Sequence, residues 1–201
     1  MNKQITEDVS QEKIWDIGTR LFHWALVICV AAAWGLGKFG PNIMTLHFYF
    51  GYAVIALLVF RVIWGLVGPA PVRFASFLYG PRTTLRYLRT LGTPKPSYWP
   101  GHNPMGALSV FAILAALIAQ VGTGLFSDPD DFINVGPLAG YVSSEANRTA
   151  TFIHNRMLWV ILALVVLHIA AIAYYKRFKG ENLVTPMITG WKPVRRDESR
   201  D

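Results

Sequence analysis

The chain has 201 residues, 53% of them hydrophobic and only 15% charged, with a formal net charge of +7. The apolar residues run in long blocks and the charges lie between them, which argues against a soluble globular domain and against reading the positive balance as a nucleic-acid footprint. A single cysteine, Cys29, excludes a disulfide framework.

In chain order, residues 1–13 are polar and of mixed charge, with no signal-peptide pattern. Four apolar segments follow, at about 19–38, 47–68, 104–126 and 152–176. Each is near the length of about 20 residues that crosses a bilayer core as a helix. The expected fold is an all-α integral membrane protein, a four-transmembrane-helix bundle forming one domain over residues 1–201. Cys29 lies inside the first span and reads as a packing residue. The connection 69–103 carries Arg73, Arg82, Arg86, Arg89 and Lys95 without any acid. Within it, Arg82–Gly92 (RTTLRYLRTLG) sets Leu85, Leu88 and Leu91 against Arg82, Arg86 and Arg89, the pattern of a short helix on an anionic membrane surface. The Pro- and Gly-dense stretch after it is irregular. Asn103 then suits the cap of the third span, and Pro104 its first position.

Asp128, Asp130, Asp131 and Glu145 face only Arg148 in the loop after the third span. The tail adds Lys176, Arg177, Lys179, Lys192, Arg195, Arg196 and Arg200. Basic connections stay on the cytoplasmic side, so the middle loop and both termini are expected there.

Of five histidines, His23, His47, His154 and His168 lie in the spans or at their ends. Polar groups in hydrocarbon are costly and normally face the bundle interior. By depth, His23 and His168 fall near the inner surface, and His47 and His154 near the outer one. His154 and His168 are fourteen residues apart, about 21 Å along the axis and within roughly 40° of the same face. Arg61 follows His47 by the same interval, which puts a cation on the ligand stripe at the level of the inner pair. A buried guanidinium there calls for a permanent anion, and a haem propionate meets the need. Two opposed imidazoles at one depth in a four-helix bundle make a bis-histidine haem site, so the pattern predicts two. With both axial positions filled by protein, such sites pass electrons. Gly51, Gly35, Gly122 and Gly124 are placed to let a flat macrocycle approach backbone, or to serve helix packing. Zinc would want four ligands at one centre. A haem-free proton-coupled transporter would be expected to show intramembrane acids or broken helices.

WDIGTRLFHW (Trp15–Trp24), HFYFGYAVIALLVFRVIWG (His47–Gly65), GHNPMGALSV (Gly101–Val110), IHNRMLWVILALVVLHIAA (Ile153–Ala171) and LVTPMITGWKP (Leu183–Pro193) resemble the bacterial di-haem cytochrome b family. That family includes the cytochrome b subunits of nickel-iron hydrogenases and a bacterial superoxide oxidase. The resemblance implies four core helices in the bacterial cytoplasmic (inner) membrane and two haem b groups, with axial ligands matching His23, His47, His154 and His168. It also implies electron exchange between ubiquinone or menaquinone and a periplasmic partner, either a c-type cytochrome or a dehydrogenase subunit. An electron-carrier subunit is the leading expectation, with a stand-alone superoxide:ubiquinone oxidoreductase as the alternative. Hydrogenase-type members tend to carry an additional helix, whereas four spans are visible here. Three further residues belong to the expected cofactor environment. His102 lies in a family motif and is placed near an inner propionate or a quinone, or in helix-start packing. Arg20, one turn before His23, and Arg156, beside His154, are placed near propionates or lipid headgroups. The acidic stretch Asp128–Asp131 is a candidate dock for a basic cytochrome c.

Overall fold

The computed structural model describes residues 9–40, 44–130 and 133–195. Asp131 and the tail residues Arg196 and Arg200, counted above for topology and docking, lie outside them. Strand β1 (Val9–Lys13) leads into α1 (Ile17–Phe39), followed by α2 (Thr45–Val67), α3 (Pro81–Thr90), α4 (Pro104–Leu125), α5 (Ser144–Tyr174), α6 (Val184–Thr189) and β2 (Trp191–Arg195). Four helices, α1, α2, α4 and the one that opens at Ser144, are long and apolar enough to cross a membrane. At about 1.5 Å per residue, the 22 or 23 residues of α1, α2 and α4 exceed a hydrocarbon core of roughly 30 Å. The last begins eight residues before the segment 152–176, because its first two turns, Ser144–Thr151, are polar and carry no hydropathy signal.

The chain groups into two compact units. The first comprises Leu21–Ile63 and Ser109–Leu167. Its core is Val54 and Leu58 of α2, Ala116 and Leu117 of α4, and Ile161 of α5. Leu26, Cys29 and Val30 of α1 pack against them, so Cys29 is a packing residue. With Ile113 and Val121 of α4 and Met157 and Leu164 of α5 also packed on this core, each helix contributes residues three or four apart, one stripe of a 3.6-residue period. Val59, Val62, Ile118, Trp159, Val166 and other large apolar side chains of these helices are exposed, as suits helices solvated by lipid.

The second unit joins Met1–Arg20, Trp64–Leu108 and His168–Asp201. β1 and β2 pair antiparallel, from Val9↔Arg195 to Lys13↔Trp191. Ile14, Trp15, Val72 and Val194 close a small core beside them, with Trp64 and Met187 packed on it. Gly190 has φ +89°, and a Cβ there would come within 2.6 Å of the Trp15 carbonyl, so only glycine fits. Asp16 caps α1: its carboxylate accepts the Thr19 N–H (3.1 Å), the Thr19 hydroxyl (2.6 Å) and the Trp64 indole N–H (3.3 Å). Burial pushes the Asp16 carboxyl up, but these hydrogen bonds outweigh it and hold the group below its ordinary range.

Asn103 caps α4 as expected, accepting the Gly106 N–H on Oδ1 at 2.8 Å, with Pro104 at the first position. α3 forms where the arginine–leucine pattern placed it, one residue earlier. Its buried residue is Tyr87, however, while Leu85 and Leu88 stay exposed beside the arginines. Two tail cations counted for topology are interior groups. Lys179 donates to the Thr90 and Lys95 carbonyls, and Lys192 to those of Trp99 (2.7 Å) and Gly101 (3.1 Å). Both are buried, as is Glu181, which accepts the Ser97 N–H and hydroxyl. Burial pulls the Lys192 ammonium down, against the opposing pull of Glu181. These contacts tie the Pro-rich stretch down through backbone carbonyls, which satisfies the buried charges.

Candidate functional site

His47 opens α2 and His154 lies in α5, and their ring centroids are 6.1 Å apart at an interplanar angle of 80°. Each ring is fixed by the same kind of bond. His47 Nδ1 donates to the Ala33 carbonyl of α1 at 2.8 Å, and His154 Nδ1 donates to the Gln120 carbonyl of α4 at 2.9 Å. A carbonyl can only accept, so Nδ1 carries the proton in both rings and Nε2 holds the lone pair. That is the tautomer of a metal-ligating histidine with its second nitrogen anchored. A metal–imidazole bond of about 2 Å, plus roughly 1 Å from nitrogen to ring centre on each side, places two axial rings about 6 Å apart. The observed separation therefore fits a metal held between them.

Among the described residues, no group of three or more His, Cys, Asp and Glu converges. Two imidazoles alone suit a planar group that brings its own equatorial nitrogens, so the donor set fits haem and leaves a four-ligand zinc site short.

Gln120 is a residue that sequence reasoning missed. Its amide nitrogen lies 3.1 Å from His154 Nε2, while its Oε1 is buried without a hydrogen-bond partner. A glutamine inside an apolar span was the available signal, since a buried carboxamide in hydrocarbon is costly.

The other expected site residues are placed as follows. Arg61 is buried on α2, at 5% exposure. His23 is half-buried on α1, edge-on to Trp24 at 5.0 Å. His168, on α5, is half-buried in the second unit. His102 packs between Trp15 (4.7 Å) and Phe77 (4.6 Å), and its carbonyl accepts the Tyr79 hydroxyl. Arg20 donates to the Ile188 carbonyl and thereby anchors the turn that holds Gly190. Arg156 is exposed, with its guanidinium 5.2 Å from the centre of the Phe152 ring. A Cβ at Gly51, Gly35 or Gly122 would meet nothing within 4 Å, whereas one at Gly124 would press on the His154 ring.

Four apolar helices with a carbonyl-anchored pair of imidazoles define a haem-binding membrane bundle of the electron-transfer class. Residues 14–190 match the prokaryotic cytochrome b561 family, and the chain belongs to it. It is similar to the probable Ni/Fe-hydrogenase 1 B-type cytochrome subunit of Escherichia coli K12, with 22% identity over 222 residues covering 94% of each chain. The probable Ni/Fe-hydrogenase B-type cytochrome subunit of Azotobacter vinelandii is 23% identical, over 92% of this chain and 89% of that relative. The protein is thus a multi-pass membrane cytochrome that transfers electrons through haem b.

Proposed function

We propose that this cytochrome carries electrons across the bilayer between the quinone pool and a periplasmic redox partner, through two bis-histidine b haems. The observation that carries the reading is the His47–His154 pair, with a 6.1 Å ring separation and both Nδ1 protons given to backbone carbonyls. These two residues would hold the outer haem. The second site rests on sequence spacing: His23 and His168 are the remaining intramembrane histidines, and their depths match. Relatives named as hydrogenase cytochrome subunits favour an oxidoreductase subunit over a free c-type cytochrome as the partner.

Bound haem b supplies reversible one-electron chemistry at its iron. The protein's part is positioning and electrostatics. Each carbonyl anchor holds its imidazole in the ligating tautomer, raises its basicity and restrains ring rotation. Were histidine to supply both protein ligands of a haem, that haem would be suited to passing electrons. The Val54, Leu58, Leu117 and Ile161 core keeps water from the bundle interior. Arg61 contributes a fixed buried charge of the sign that a propionate requires. The test is pigment per purified chain. Two b haems with low-spin spectra support the reading, and a ratio well below two refutes it.

A further inference from the structure

The two anchored imidazoles are seated in the same way on different helices. On α1 the sequence is AWGLG (Ala33–Gly37), and on α4 it is QVGTG (Gln120–Gly124). In each, the first residue lends its carbonyl to a histidine Nδ1–H, and the glycine four residues on lies against that ring. A Cβ built on Gly37 would stand 2.9 Å from His47 Nδ1 and 3.0 Å from its Cε1. One built on Gly124 would stand 2.9 Å from His154 Cε1 and 3.1 Å from its Nδ1. At 2.9 Å the shortest contact in each seat is closer than side-chain carbons come, so an added Cβ would force the ring or the helix beside it to shift.

The helical geometry explains the interval of four. A carbonyl at position i accepts the N–H of residue i+4, and its second lone pair stays available to an outside donor. The side chain of residue i+4 projects back towards the preceding turn and shields that oxygen. With glycine at i+4 the oxygen is open, and a ring from the neighbouring helix reaches it. The middle glycines, Gly35 and Gly122, do not have this role, because a Cβ on either meets nothing within 4 Å.

We propose that Gly37 and Gly124 are paired positioning residues, the floors of two equivalent seats in which an exposed helix carbonyl fixes the tautomer and orientation of His47 and His154. The inference rests on these histidines ligating the outer haem. It adds that the missing Cβ serves the ligand ring, where the sequence alone pointed for Gly124 to close approach of a macrocycle or to helix packing, and did not single out Gly37.

The experiment uses the full-length membrane protein, with Gly37→Ala and Gly124→Ala made singly and Gly140→Ala as a control. Gly140 lies in the same unit with open space at its Cβ. Haem content, midpoint potentials and the low-spin ferric electron paramagnetic resonance signals are recorded. A ring pushed off its carbonyl loses basicity and donates less to ferric iron. Each seat variant should therefore raise the outer potential by about 59 mV, one tenfold step in the oxidised-to-reduced stability ratio. It should also shift the outer signal and leave the inner haem and the control unchanged. Native outer-haem potentials and signals in both variants would overturn the seats while leaving the bis-histidine reading intact. So would failure of both variants to accumulate when the control does, which would make these glycines general packing residues. An unsubstituted protein without haem would remove the underlying reading and the seats with it.

Discussion

Replacing Arg61 by leucine tests the electrostatics at the level of the proposed inner haem. Arg61 is 5% exposed, so solvent screens its charge poorly. It lies fourteen residues after His47 on one continuous helix, about 21 Å along the axis. At an effective dielectric constant of about 20, a unit charge at 21 Å biases the outer iron by roughly 0.8 kcal/mol. For a haem whose propionate Arg61 grips, with the iron at roughly 8 Å, the same expression gives about 2 kcal/mol. In one-electron terms these are about 35 mV and about 90 mV. A positive charge favours the reduced state, so Arg61→Leu lowers both potentials, the inner one by more than twice the outer shift. Arg61→Lys retains the charge and should recover most of the loss. Redox titration of the purified protein reads the shift of each proposed haem. Equal shifts, a larger outer shift, or no shift would refute the placement of Arg61 at the inner propionate.

If two haems are held as proposed, ligand substitutions should separate them. His154→Ala or His47→Ala leaves one haem per chain with the inner spectrum, and His168→Ala leaves one with the outer spectrum; loss of the same haem from His154→Ala and His168→Ala would disprove the pairing. Gln120→Leu retains the outer haem, because the anchor of His154 Nδ1 is the backbone carbonyl and survives the substitution; loss of that haem would show that the carboxamide is the support. Asp16→Ala removes the α1 cap, worth about 1 kcal/mol, and lowers the thermal midpoint by about 2–4 °C. The folded-state pKa of Asp16 is depressed, so its contribution is complete above the unfolded value of about 3.9 and is lost as pH falls through the folded one. The stability gap between the unsubstituted protein and Asp16→Ala should accordingly close in acid, and a gap that is constant with pH would count against this account of the cap.

The four spans were readable because a bilayer imposes its own ruler: a helix must offer about 20 apolar residues, whatever its neighbours are. Depth along a span follows from counting residues at a fixed rise, and that placed His47 and His154 at one level before any packing was known. Asn103 and Pro104 were readable for a similar reason, since capping depends only on adjacent backbone. The ladder between β1 and β2 was not readable. Its strands are five-residue segments about 180 positions apart, too short for a clear alternation, and β2 contains Pro193.

Lys179 and Lys192 were counted among the tail cations, but their burial depends on carbonyls supplied from residues 90–101. Tyr87, rather than a leucine, is the buried residue of α3 because its hydroxyl finds that of Tyr175 at 2.7 Å. The chain by itself determined which segments are long and apolar enough to enter lipid and that His47 and His154 share one level, because solvation acts on each segment separately and rise per residue is fixed. Only the tertiary structure decided which backbone oxygen receives each imidazole proton and that a glycine must stand beside it. A carbonyl has no side-chain signature, and whether it is open depends on which helix lies alongside.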